Sequence, residues 1–140
     1  MAFKRIKGSD RGLIRRDISA TAFAVGDILD YDRTNAIVVT ASATSEIDER
    51  AGIVTEATTT SDTTVLLQRI MHGDQYLVDT LNVALDADNY KRCIWGTGQT
   101  LDNSGTDVPG DTGLFMQVSV VGVSGTSTKI IAEPCFTPGD

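Results

Sequence analysis

Beyond residue 24 the chain is made of short apolar and β-branched runs, each closed off by a cluster of Gly, Asp, Asn, Ser or Thr. Such runs suit strands, and the short polar residues between them tolerate turn geometry. Val25 to Tyr31 and Ala36 to Ala41 flank Asp32-Arg33-Thr34-Asn35 and predict a hairpin. Gly52 to Ala57 and Thr63 to Ile70 flank a Thr/Ser/Asp stretch, and Tyr76 to Asp79 follows a turn at His72-Gly73-Asp74. Further on, Leu114, Met116, Val118 and Val120 fall on one face of a strand and Phe115, Gln117 and Ser119 on the other. Lys129 to Ala132 is placed to pair with it, giving a C-terminal hairpin over residues 114–133. Eighteen threonines fit a half-exposed pleated surface better than a helix. The class expected is mainly β.

The best helix signal is one short segment, Leu81 to Arg92. Leu81, Ala84 and Leu85 stand at i, i+3 and i+4 there, and Lys91 and Arg92 sit at the end that favours cations. The polar stretch from Gly96 to Gly113 reads as a long loop. At 140 residues the chain has room for one ordinary domain, and no apolar run approaches the ~18 residues of a spanning helix, so no membrane partner is expected. The basic start lacks the apolar stretch of a signal peptide, so export by that route is not expected. Cys93 and Cys135 are too few for a disulfide framework and read as reduced.

Charge is unevenly placed. The net charge is -7, yet residues 1–16 carry Lys4, Arg5, Lys7, Arg11, Arg15 and Arg16 against Asp10 alone, a local +5, which leaves -12 on the rest. Residues 1–17 are therefore expected to be a flexible basic arm on an acidic body of residues 18–140, since a glycine-containing, apolar-poor terminus has little with which to order itself. One reading of the arm is a solvated tail. Nucleic acid would suit the cations, but the acidic body repels it and no base-reading motif or aromatic platform accompanies them. The favoured reading uses Phe3, Ile6, Leu13 and Ile14 among the charges to dock on an acidic protein surface or to add to a partner's sheet edge.

Catalytic and metal chemistry find little footing. His72 is the only histidine and lies in a turn. A triad with Asp74 or Asp79 would need a serine, and no Gly-x-Ser-x-Gly elbow is present. One histidine and two distant cysteines give three zinc ligands at best. Asp102 to Asp107 is rich in oxygens, but Asp107 stands where a calcium loop needs glycine and Gly113 where it needs glutamate. Gly96-Thr97-Gly98-Gln99-Thr100 lacks the residues of a phosphate loop. Glu46, Asp48, Glu49 and Arg50 read as a solvated loop, and Trp95 as core or subunit contact. No enzyme, no cofactor and no metal is expected.

The ordered sequence of pieces resembles the head decoration proteins of tailed phages, the family of the lambda capsid-stabilising protein. The resemblance runs through Leu29-Asp30, a turn and Ile37-Val38-Val39, then Ala51-Gly52-Ile53-Val54 with Ala57, a Thr/Ser/Asp linker and Thr63 to Leu67. It continues through Gly73, Tyr76, a short helix matched by Asp86, Asp88, Lys91 and Arg92, and the Gly98 and Thr100 region. It covers roughly residues 25–101, and the residues after it have no counterpart in the small family members.

The resemblance implies a small β-barrel or β-tulip-like domain with one short helix, to which this chain adds the basic arm and an additional C-terminal hairpin. It further implies a capsid cement protein on the outer surface of the expanded head, assembled in the host cytoplasm. It would act as a homotrimer, with a dimer as the alternative, and the arm would add to a strand of the major capsid protein. The arm residues expected to make that contact are Phe3, Lys4, Arg5, Ile6, Lys7, Arg11, Leu13, Ile14, Arg15 and Arg16, and those expected between subunits are Trp95, Tyr76 and Phe115. The other reading is a small-ligand or carbohydrate-binding β domain whose mouth is Trp95 and the following loop.

Overall fold

Eleven strands carry the alternation of apolar and polar residues into two antiparallel sheets, in a computed structural model that describes residues 3–7, 12–42, 49–71, 73–95, 100–104 and 115–135. They are β1 (Lys4–Lys7), β2 (Leu13–Asp17), β3 (Ile28–Asp32), β4 (Ile37–Thr40), β5 (Arg50–Val54), β6 (Thr64–Gln68), β7 (Gln75–Asp79), β8 (Arg92–Trp95), β9 (Leu101–Asp102), β10 (Phe115–Val120) and β11 (Lys129–Pro134). One sheet has the order β1-β7-β11-β10-β8-β9 and the other β2-β6-β5-β3-β4. The mainly β class read from the sequence is the class observed.

Neither sheet closes into a barrel. In the five-stranded sheet the two edges, β2 and β4, curl to within 8 Å of each other between Cα atoms, yet no ladder joins them. A side-chain bond crosses this region instead, from β2 to the neighbour of β4: Arg16 Nε donates to the hydroxyl of Tyr31 on β3 at 3.1 Å. In the six-stranded sheet Thr80 reaches Leu101 through one isolated parallel bridge, which falls short of the continuous staggered ladder that closure requires.

Two apolar clusters hold the sheets. The first joins Phe3, Tyr76, Val78, Cys93, Leu101, Phe115, Ile130 and Ala132 of the six-stranded side to Ile28 and Ile53 of the other sheet. The second gathers Leu29, Val38, Ala51, Val54, Val65 and Leu67 and is completed by Ile18 and Phe23 from the segment after β2. Ile28 and Leu29 therefore serve opposite faces, as successive strand residues do. A sheet buried on both faces explains why residues 28–30 of β3 and 51–54 of β5 are buried without alternation. Gly52 is needed in β5 because a Cβ there would lie 2.5 Å from the Gln68 carbonyl oxygen on β6.

Three sequence expectations change. The helix over residues 81–92 is a single 3-10 turn at Asp86–Asp88, and β8 begins at Arg92. Only Ala84 of the apolar spacing is buried, and the segment's donors go to neighbouring chain: Leu81 N–H to Leu101 and Ala84 N–H to Ser127. The 114–133 hairpin is no appendage, for β10 and β11 are the two central strands of their sheet. Its buried face is that of Phe115 and Gln117, and a bulge after Gln117 then turns Val120 to the core. Cys93 and Cys135 are buried and form no disulfide. Cys93 lies opposite Phe115, which lies opposite Pro134, so two strand spacings separate them, beyond the reach of a disulfide.

The third change concerns residues 1–17. β1 pairs with β7 and β2 with β6, and Phe3 is 3% exposed. Apolar side chains tie this segment down: Phe3 fills the first cluster, Ile14 packs on the second, and Ile18 belongs to it. Among the described residues it is thus part of both sheets and not a detachable arm.

Two stability predictions follow from this packing. Phe3→Ala should lower the unfolding free energy by about 3–5 kcal/mol, the range for emptying a buried aromatic site, measured by urea denaturation. An effect near zero would mean the segment is loose in solution. Gly52→Ala should cost about 1–3 kcal/mol by overpacking against β6, read from the same titration.

Candidate functional site

Each strand contributed by the basic segment is an edge strand, β1 of the six-stranded sheet and β2 of the five-stranded one. Edge strands leave one row of N–H and C=O groups without a ladder partner, which makes them the places where another chain can add. Lys4 and Ile6 are exposed on β1 while Arg5 is half-buried. On β2, Leu13, Arg15 and Asp17 point to solvent, and Ile14 and Arg16 are half-buried between them. Lys7 ends β1, and Arg11 lies outside the described residues. The outward faces thus alternate a cation with an aliphatic side chain, Lys4 with Ile6 and Leu13 with Arg15.

The cations are held differently. Arg15 approaches Glu56 at 3.9 Å, an exposed pair of little energetic weight that leaves the guanidinium available to a better partner. Arg16 donates to Tyr31 and to the Arg15 carbonyl, and both Arg16 and Arg33 lie 5.8 Å from the centre of the Tyr31 ring. A groove of about 430 Å³ runs beside β1, lined by Phe3, Lys4 and Arg5 on one wall and Val25, Ile53 and Gln68 on the other. The arrangement can offer main-chain groups to a strand, aliphatic contacts to its side chains and positive charge to its acids. Lysine on an edge also discourages two copies from pairing edge to edge.

Phe3 itself anchors this edge from inside. Its ring lies 5.9 Å from that of Tyr76 and 4.7 Å from that of Phe115, and its N–H donates to the Gly26 carbonyl at 3.1 Å. Tyr76 and Phe115, expected between subunits, are 1% and 0% exposed within a single chain. They are core, because the hairpin's central place buries the face they share. Trp95 closes β8 opposite Leu101.

Arg50, read from sequence as part of a solvated loop, opens β5 with its guanidinium 5.6 Å from the centre of the Phe115 ring and donates to the Cys135 carbonyl. Burial pulls its pKa down to about 10, against the opposing pull of Cys135, Asp30 and Tyr76. No local sequence signal distinguishes it from its charged neighbours; only the packing of β10 and β11 against β5 does. Tyr76 donates to buried Asp74, which also accepts from the Met71 N–H. Burial first, then the charge of Asp74, pushes the phenol well above its ordinary value.

The set-aside chemistry gains nothing from the described residues. Among them no group of three or more His, Cys, Asp or Glu could hold a metal ion. Asp102 spends one carboxylate oxygen on the Ser104 N–H and hydroxyl, as a turn does. His72, residues 96–99 and residues 105–114 lie outside the description. No helix among the described residues is long and apolar enough to cross a membrane. No protein-family model and no curated protein matches the chain in sequence.

The raised Tyr76 pKa carries a pH dependence. Unfolding lets the phenol ionise near pH 10, so this contribution to stability is complete below pH 10 and is lost as pH rises above it. Arg50 works in the opposite direction over the same range, so the comparison is made against Tyr76→Phe. The variant should be less stable than wild type at neutral pH, with the gap narrowing above pH 10. A gap independent of pH, measured by denaturant unfolding, would show that Tyr76 ionises alike in both states.

Proposed function

We propose that the chain is a phage capsid decoration protein that binds the outer surface of the expanded head, bridges major capsid protein subunits and acts by binding alone. The observation that carries this reading is the placement of the basic segment: cations interleaved with aliphatic side chains on an edge strand of each sheet. The ordered resemblance over residues 25–101 supplies the partner, and a net charge of -7 with a local +5 supplies the polarity. Phe3 holds the segment from beneath, so the contact uses strands already in place. A segment of the major capsid protein would add to the outer edge of β1, with its acids meeting Lys4 and Arg5 there and Arg15 on the outward face of β2. Preformed edges spare the ordering cost that a loose arm would meet on docking. Many equivalent lattice sites would make the stabilisation collective. Copies of the chain would assemble with one another as a trimer or a dimer.

The test is co-sedimentation with expanded shells of the phage that encodes the chain. Deletion of residues 1–16 is unsuitable because it removes core, so exposed positions are changed instead. Lys4→Glu combined with Arg15→Glu should leave folding intact and weaken binding by roughly tenfold or more, and wild-type binding should weaken as salt rises. Wild-type affinity in the double variant, or no binding by the wild type, would overturn the reading.

A further inference from the structure

The five-stranded sheet curls without closing, and a pocket of about 350 Å³ lies in the seam between its edges β2 and β4. Arg16 lines it from β2, Tyr31 and Arg33 from the β3 side, and Ala36, Ile37 and Val38 from the β4 side. The proposed shell contact engages Lys4, Arg5 and Arg15 and leaves this pocket unused.

The polar groups of the pocket are only partly spent. Arg16 Nε donates to the Tyr31 hydroxyl at 3.1 Å and Nη1 to the Arg15 carbonyl at 2.9 Å, so Nη2 donates to nothing among the described residues. In a planar guanidinium the Nε–H and one Nη2–H leave from the same edge in parallel. Because the Nε–H meets the phenol oxygen, that Nη2–H emerges beside it. The phenol accepts there, and its own O–H has no acceptor among the described residues. Two unspent donors thus stand side by side on half-buried residues, one of them cationic. The guanidinium of Arg33 lies 5.8 Å from the centre of the same ring and adds positive potential. An oxyanion is the group that accepts from both donors at once.

Two carboxylates border the pocket without filling that role. Asp32 spends Oδ1 on the Thr34 and Asn35 N–H groups and Oδ2 on the Asn35 amide, which holds the hairpin turn. Asp17 is exposed, and strand alternation puts it on the face opposite Arg16. The remaining lining says what carries the oxyanion. Val38 is buried and Ile37 half-buried, which gives an aliphatic wall that a bare phosphate would leave uncovered. A volume of about 350 Å³ reaches the range of small-molecule sites, which begins at about 300 Å³. We propose that the β2–β4 seam binds a small carboxylate with an apolar body. The carboxylate accepts from Arg16 Nη2 and the Tyr31 O–H, and the body rests on Ala36, Ile37 and Val38.

The probe is naphthoate, titrated into the full chain by calorimetry and followed by amide NMR shifts. It should bind with a dissociation constant of about 1 mM or tighter, as suits a ligand of that size. Naphthylmethanol keeps the rings without the charge and inorganic phosphate keeps the charge without the rings, and each should bind at least about tenfold more weakly. The shifts should gather on residue 16 and residues 31–38. Tyr31→Phe retains the ring and removes only the donor, so at an unchanged urea midpoint it should weaken naphthoate binding by about tenfold, and Arg16→Gln by at least as much. No binding by wild type, equal affinity for the neutral alcohol, shifts gathered elsewhere, or wild-type affinity in Tyr31→Phe would each overturn the proposal.

Discussion

The three-ring contact of Phe3, Tyr76 and Phe115 is what the remaining architecture depends on. Phe115 comes from the central hairpin, Tyr76 from β7 and Phe3 from the first residues of the chain, so one apolar contact joins segments more than a hundred residues apart. Arg50 from the second sheet lies against the Phe115 ring and reaches the backbone just past β11, which couples the two sheets at the same point. Tyr76 meets Asp74 in the same interior, which gives its hydroxyl an acceptor, and burial first, then Asp74, raises its pKa. Offset and edge-on aromatic contacts add orientation to area burial, and here they decide where β1 lies.

That anchor changes what the basic segment is. Nearly half of its residues are charged, and composition alone assigns it to a mobile terminus. Its few apolar residues nevertheless occupy the positions that matter, Phe3 and Ile14 inward, with the cations left on the outer faces of two edge strands. Cations on an edge discourage it from pairing with a like edge.

Much of the fold was legible in strand-length runs and turn residues. The β3–β4 hairpin, the β5 and β6 strands, β7 and the β10–β11 hairpin all overlap the segments those signals mark, with ends shifted by one or more residues. The segment from Leu81 to Arg92 was not, because three apolar residues at helical spacing do not outweigh backbone donors that find better acceptors in Leu101 and Ser127. Gln117 was also unreadable: a polar residue alternating with apolar ones looks like solvent face, and only the carbonyl of Leu85 and the amide of Asn89 make its burial affordable in hydrogen-bond terms. The cations of the candidate contact were visible as a charge imbalance, but their arrangement on edges was not.

Local chemistry in the sequence was enough for the β class, the turns and the separation of charge along the chain. Those properties depend on residues within a few positions of one another. Which strands lie at the centre and which at the edges was decided in three dimensions. Sheet order is set by contacts between segments far apart in sequence, such as Phe3 with Phe115 and Arg50 with Cys135, and no spacing along the chain encodes those pairings. The same long-range burial turned Tyr76 and Phe115 from surface candidates into core and converted a basic terminus into two strands.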